Sequence, residues 1–121
     1  MKVSKATSRH YSWGGNCDGW PLVQTDSLSV IQESIPPGGG EVPHYHERAQ
    51  QLFYILAGVA TFEADGVETT VPQGEGYHVL PGVRHSIRNA GMEDLHFLVV
   101  SQPKSQGDRV NVQEGSAGTI G

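Results

Sequence analysis

The run GGGEVPHYHERAQQLFYILAG, residues 38–58, is the stretch on which the fold turns. Its glycines follow Pro36 and Pro37 and mark a loop, and the β-branched and aromatic residues beyond them favour extended backbone. On a strand, residues i and i+2 project from one face. His44 and His46, separated by Tyr45 alone, therefore stand side by side, roughly 6.5–7 Å apart along the backbone. At metal–nitrogen distances of about 2.0–2.1 Å, two such imidazoles can take adjacent positions around one ion, with further ligands arriving from other strands. Gln51, and His85 further along, are the candidates. Leu52 to Ala57 is an apolar run of strand length that ends at Gly58 and reads as a strand buried on both faces.

Outward from this stretch the chain continues as short strands between turns. Residues 27–35 read as a strand stopped at Pro36, and Val59 to Ala64 alternates up to Asp65-Gly66, a two-residue hairpin signal of type I′, after which Val67 to Val71 returns antiparallel. Pro72 to Gly76 breaks the chain, Tyr77 to Leu80 resumes it, and Pro81-Gly82 turns it into the segment from Arg84 to Asn89. Leu95 to Ser101 is the last clear strand. Residues 1–26 show no periodicity and read as an irregular lead-in, pinned by Trp13 and Trp20, of which at least one should cover a barrel end or a subunit contact. Residues 104–121 read as a C-terminal tail, an arm or disordered. The expectation is a single all-β domain over 27–103, a sandwich or barrel closed to manage its edges.

The 121 residues suffice for one core, and the 16 glycines and 7 prolines suit a turn-rich β chain. A net charge of -5, with eight scattered basic residues, argues against nucleic-acid and anionic-membrane partners and for a small-molecule substrate or ligand. No run approaches a membrane span, and Met1 to Gly15 lacks the apolar stretch of a secretory signal. Cys17, the one cysteine, permits neither an internal disulfide nor a cysteine-based zinc site, and reads as a tolerated free thiol. These features point to a reducing compartment, the cytoplasm.

Two blocks then stand out. Gly38, five residues, His44, Tyr45, His46, four residues, Gln51, six residues, Gly58 is the first; Gly74, five residues, Leu80, Pro81, Gly82, two residues, His85, three residues, Asn89 is the second, fifteen residues later. In these spacings the chain resembles the cupin superfamily, over roughly residues 27–103. The resemblance implies a jelly-roll β-barrel in which His44, His46 and His85 bind one divalent metal ion, zinc, iron, nickel or manganese. The fourth family ligand is usually a glutamate, and here that position holds Gln51; the usual first proline of the second block is Leu80. Gln50 is an alternative donor if the loop after His46 is tighter by one residue.

Three imidazoles and an amide leave the ion's charge uncompensated by the protein. Such a site should attract anions, acidify bound water and stabilise an enolate or alkoxide. The resemblance therefore implies an enzyme of cyclase or isomerase type acting on an oxygenated small molecule. A quercetinase-like dioxygenase is the second possibility, disfavoured because Gln51 cannot accept a proton, and a non-catalytic binding or sensing module is the third. His78 and His96, in apolar strands, read as core or interface residues that can still serve as bases just behind the ligands. Phe53, Tyr54, Phe62, Tyr77 and Phe97 read mainly as core, the inward ones lining the pocket. The doubly apolar strands at 52–57 and around Phe97 call for a partner surface, which predicts a homodimer with the lead-in as a possible exchanged strand.

Overall fold

The computed structural model describes residues 1–112. Eleven strands form two antiparallel sheets: β1 (Tyr11–Trp13), β2 (Cys17–Gln24), β3 (Ser29–Ile35), β4 (His44–His46), β5 (Gln50–Ala57), β6 (Val59–Ala64), β7 (Val67–Pro72), β8 (Gly76–Val79), β9 (His85–Arg88), β10 (Leu95–Gln102) and β11 (Arg109–Asn111). The larger sheet runs β1-β2-β3-β10-β5-β8 and the smaller β11-β4-β9-β6-β7. The two pack face to face as a jelly-roll barrel. Phe53, Ile55, Phe97, Ile35 and Leu95 from one sheet meet Phe62, Ile87, Ala60 and Val71 from the other in a single apolar core.

Local chemistry sets the crossings. Asp65 (φ 49°) and Gly66 (φ 84°) both lie in the left-handed region that a type I′ hairpin requires, and β6 pairs with β7 across them from Ala64↔Val67 to Val59↔Pro72. Gly58 (φ 86°) carries the chain from β5 in one sheet to β6 in the other, and a Cβ there would stand 2.8 Å from the Asp94 carbonyl oxygen.

Three expectations need correction. The lead-in is not irregular: β1 and β2 extend the larger sheet, with Asp18↔Ser34 and Gly19↔Glu33 in register, because β3 otherwise presents an unpaired edge. Trp13 packs against the core and donates from Nε1 to the Asp18 carbonyl at 3.0 Å, while Trp20 lies outside it under the Lys5 ammonium. The run 52–57 is buried on one face only. Phe53 and Ile55 point into the core while Leu52, Tyr54 and Leu56 are exposed, since only one face of the larger sheet meets the smaller. The tail is ordered through Val112, and β11 pairs with β4; residues 113–121 lie outside the described residues.

Candidate metal centre

The smaller sheet brings the imidazoles together. His44 pairs directly with His85 across β4 and β9, and the i, i+2 spacing puts His46 on the same inward face as His44. The three side chains are buried, and each offers a ring nitrogen within 4.8 Å of the others. Ring centroids lie 4.4 Å apart for His44 and His85, 5.1 Å for His44 and His46, and 5.9 Å for His46 and His85. Aromatic walls hold His85, with Phe62 stacked parallel to it at 5.9 Å and Phe53 edge-on at 5.7 Å.

Hydrogen bonds decide which nitrogens are free. His44 Nδ1 donates to the Val42 carbonyl at 2.8 Å and His85 Nδ1 to the Val83 carbonyl at 2.9 Å, a pairing that leaves the lone pair on Nε2 of each ring. His85 Nε2 and His46 Nδ1 are buried without a partner. Burial pushes the imidazoles towards the neutral form: His44 falls to about 3 and His46 to about 4, and His85 is lowered as well. Neutral rings with unshared lone pairs, buried and converging, are the chemistry a divalent cation takes up.

Gln51 reaches the same space from the opposite sheet. Its Nε2 donates to Ser101 Oγ at 3.0 Å, which turns Oε1 inward, and that oxygen is buried without a partner. Gln50 faces away, bonded through Nε2 to Gln102 at 3.0 Å and through Oε1 to His78 at 2.9 Å on the outer surface. Strand parity thus turns Gln51 towards the cluster and Gln50 away from it. His78 is exposed and His96 half-buried, on residues of β8 and β10 that alternate with the inward ones, so neither joins the cluster.

A cavity of about 350 Å³ opens on this cluster. Besides His44, His46 and Gln51 it is lined by Ile31, Phe53 and Val99 and by a polar group absent from the sequence reading: Tyr11, Glu33, Glu41 and Arg109. Tyr11, Gly19 and Glu33 form one row across β1, β2 and β3. Because Gly19 has no side chain, the Tyr11 ring lies over it and its hydroxyl donates to Glu33 Oε2 at 3.2 Å; a Cβ on Gly19 would come within 2.6 Å of that hydroxyl oxygen. Burial raises Glu33 to about 7, against the pull of the Tyr11 hydrogen bond and Arg109, and burial together with the Glu33 charge raises Glu41 to about 8. One signal was legible. Ile31, Glu33 and Ile35 share the inward parity of β3, so a lone acid sits where an aliphatic is expected. Tyr11, Glu41 and Arg109 carry no such mark.

Asp108 fixes the approach to the site. Its carboxylate, fully enclosed, accepts the backbone N–H groups of Glu47, Arg48 and Ala49 at 3.1, 2.9 and 2.9 Å, tying the turn between β4 and β5 to the start of β11. Burial alone would raise this carboxyl, but the three N–H donors and Arg48 hold it below its ordinary value. Arg109 follows, paired in register with His46, and completes the cavity wall.

Comparison with known proteins agrees with this geometry. The chain matches the family described as the cupin domain over residues 31–101, which includes all three histidines and Gln51. It is 36% identical over 66 residues to an oxalate-binding protein of Thermotoga maritima, covering 54% of each chain, and 37% identical over 65 residues to a quercetin 2,3-dioxygenase of Bacillus subtilis, covering 53% of this chain and 19% of that enzyme. The match thus spans about half of the Thermotoga relative and about a fifth of the Bacillus one. Among solved structures, the polyketide cyclase RemF of Streptomyces resistomycificus superposes with a TM-score of 0.79 at 20% identity over 96% of this chain and 87% of that one, a likeness of fold. Among the described residues no helix is long and apolar enough to cross a membrane. With two motifs in register, a jelly-roll barrel and three imidazoles converging inside it, the chain belongs to the cupin family.

Proposed function

We propose that this cupin is an enzyme that holds one divalent metal ion, zinc, iron, nickel or manganese, through His44, His46, His85 and Gln51, and that it isomerises or cyclises an oxygenated small molecule. The reading is carried by three converging imidazoles, His44, His46 and His85, with buried, unpartnered donor atoms at His85 Nε2, His46 Nδ1 and Gln51 Oε1, beside a cavity that His44, His46 and Gln51 line together with carboxyl groups near neutrality. Unsatisfied buried polar atoms are costly, and a ligand common to them accounts for their persistence. A cation held there supplies Lewis acidity to an oxygen of the bound molecule. The protein's own residues do the rest. Ile31, Phe53 and Val99 exclude water from one wall, Arg109 draws negative charge to another, and Glu33 and Glu41 stand ready to hold or release a proton.

His46→Ala should abolish metal retention, measured by elemental analysis of protein purified without added metal, and activity together. An active variant devoid of metal would overturn the proposal.

A second reading, a quercetinase-like dioxygenase, gains from the same acids. Gln51 cannot take a proton, but Glu33 in the cavity wall can, and the 37% identical stretch of the Bacillus dioxygenase points the same way. Oxygen uptake on a flavonol and catechol panel separates the two, and absence of uptake with every bound metal removes this one.

We place the protein in the cytoplasm as a homodimer. Cys17 is a buried thiol that burial and nearby carboxylates keep protonated, which suits a reducing compartment, and Leu52, Tyr54 and Leu56 form an apolar strip on the outer face of the larger sheet. A monomer by light scattering at micromolar concentration contradicts the dimer.

A further inference from the structure

The cavity wall holds two acids, and one is placed unlike the other. Glu33 stands on the inward face of β3 between Ile31 and Ile35, and among the described residues its carboxylate receives a single side-chain hydrogen bond, from Tyr11. That bond exists because the residue between them in the row, Gly19, leaves room for the phenol to cross β2. Glu41 contrasts with it: its Oε1 is sealed from solvent and unpartnered. The arrangement presents one oxygen of Glu33 anchored and the other available to the cavity that His44, His46 and Gln51 also line.

We infer that Glu33 is the group that exchanges a proton with the bound molecule, that Tyr11 is its positioning residue, and that the substrate class is a small carbonyl compound with a removable proton on the carbon beside the carbonyl. The inference rests on the metal-centred reading above. In the step, the Glu33 carboxylate takes a proton from that carbon, and the electron pair of the broken C–H bond spreads onto the adjacent carbonyl. Glu33, now a carboxylic acid, returns a proton to the same molecule at carbon or oxygen. No electron leaves the pair of reactants, so the net change is an isomerisation, or a ring closure when the carbon attacks a second carbonyl. Arg109, and a cation held by the imidazole cluster, would favour the electron-rich form, and Ile31, Phe53 and Val99 supply apolar wall for the carbon skeleton.

The test uses the full-length, metal-loaded protein with pentane-2,4-dione as the probe, following loss of its central C–H signal by proton NMR in deuterated water, with metal content measured on the same samples. Wild-type protein should accelerate exchange over buffer. Glu33→Gln should retain the metal and lose about 100- to 10,000-fold of that acceleration, with Glu33→Asp recovering part of it. Tyr11→Phe should lower the rate while leaving probe affinity unchanged, a split that a merely structural role would not produce. Retained metal with no exchange by wild type, or undiminished exchange by Glu33→Gln, overturns the assignment and leaves the metal centre standing. Failure of wild type to retain metal at all overturns the reading beneath it.

Discussion

Two rows of side chains run next to each other across the inward face of the larger sheet, on the same strands, one pleat apart. Ser29, Ser101 and Gln51 make one, and Ile31, Val99 and Phe53 the other. Both are buried to within 9% of full enclosure. The apolar row gains from that burial, because removing hydrocarbon from water is favourable at about 25 cal/mol per Å². The polar row does not, since Ser29 Oγ and Gln51 Oε1 are enclosed without partners. Equal burial with opposite energetic sign separates a row that stabilises the fold from one that leaves buried donor and acceptor atoms open to a ligand.

The contrast can be broken by substitution. Phe53→Ala should give the largest effect, costing about 3–5 kcal/mol in chemical denaturation of the metal-free protein; a loss under about 1 kcal/mol would mean that this row is not core. Ser101→Ala removes the hydroxyl that orients the Gln51 amide and should weaken metal binding about 10- to 100-fold, read by competition with a chromogenic chelator. Unchanged affinity would detach Gln51 from the metal.

Next comes a pH effect on the metal-free protein. Glu41, raised to about 8 by burial and by Glu33, keeps a proton in the native chain that the unfolded chain releases near 4.5, so the stability it contributes is complete below about pH 4.5 and is lost as pH rises through about 8. Glu33, raised to about 7, acts in the same sense. His44 and His46, lowered by burial to about 3 and about 4 from 6.5, act oppositely, their contribution being lost as pH falls below 6.5. Between pH 6.5 and 8 the acids dominate. The thermal midpoint should therefore fall across that interval, and Glu41→Gln should remove much of the fall; an equally steep decline in the variant would assign it elsewhere. The smallest effect is expected from Ser29→Ala, which deletes an unpartnered hydroxyl and should leave stability within about 0.5 kcal/mol or raise it. A clear loss would show that Ser29 has a partner the other row lacks.

Much of this was legible in the chain. The hairpin at Asp65-Gly66, the strands through Phe62 and Phe97, and the shared face of His44 and His46 follow from turn chemistry and period-two alternation. Less legible was the outer face of β5, where an unbroken apolar run hid a one-sided strand: Leu52, Tyr54 and Leu56 are hydrophobic yet exposed. The lead-in and the tail were less legible: β1 and β11 are three residues each, too short for a period to register, the alternation at the start of β2 is interrupted by Pro21, and all three form on edges that neighbouring strands offer them.

By itself the sequence determined the strand pattern, the turns and the identity of the three imidazoles and the amide, since these depend on residues a few positions apart. Only the tertiary structure decided which acids face them. Tyr11 meets Glu33 across 22 positions, and Asp108 secures the turn after β4 from about 60 positions away. Such contacts are set by which strand edges pair and by a glycine that leaves space between them, and no local periodicity records either.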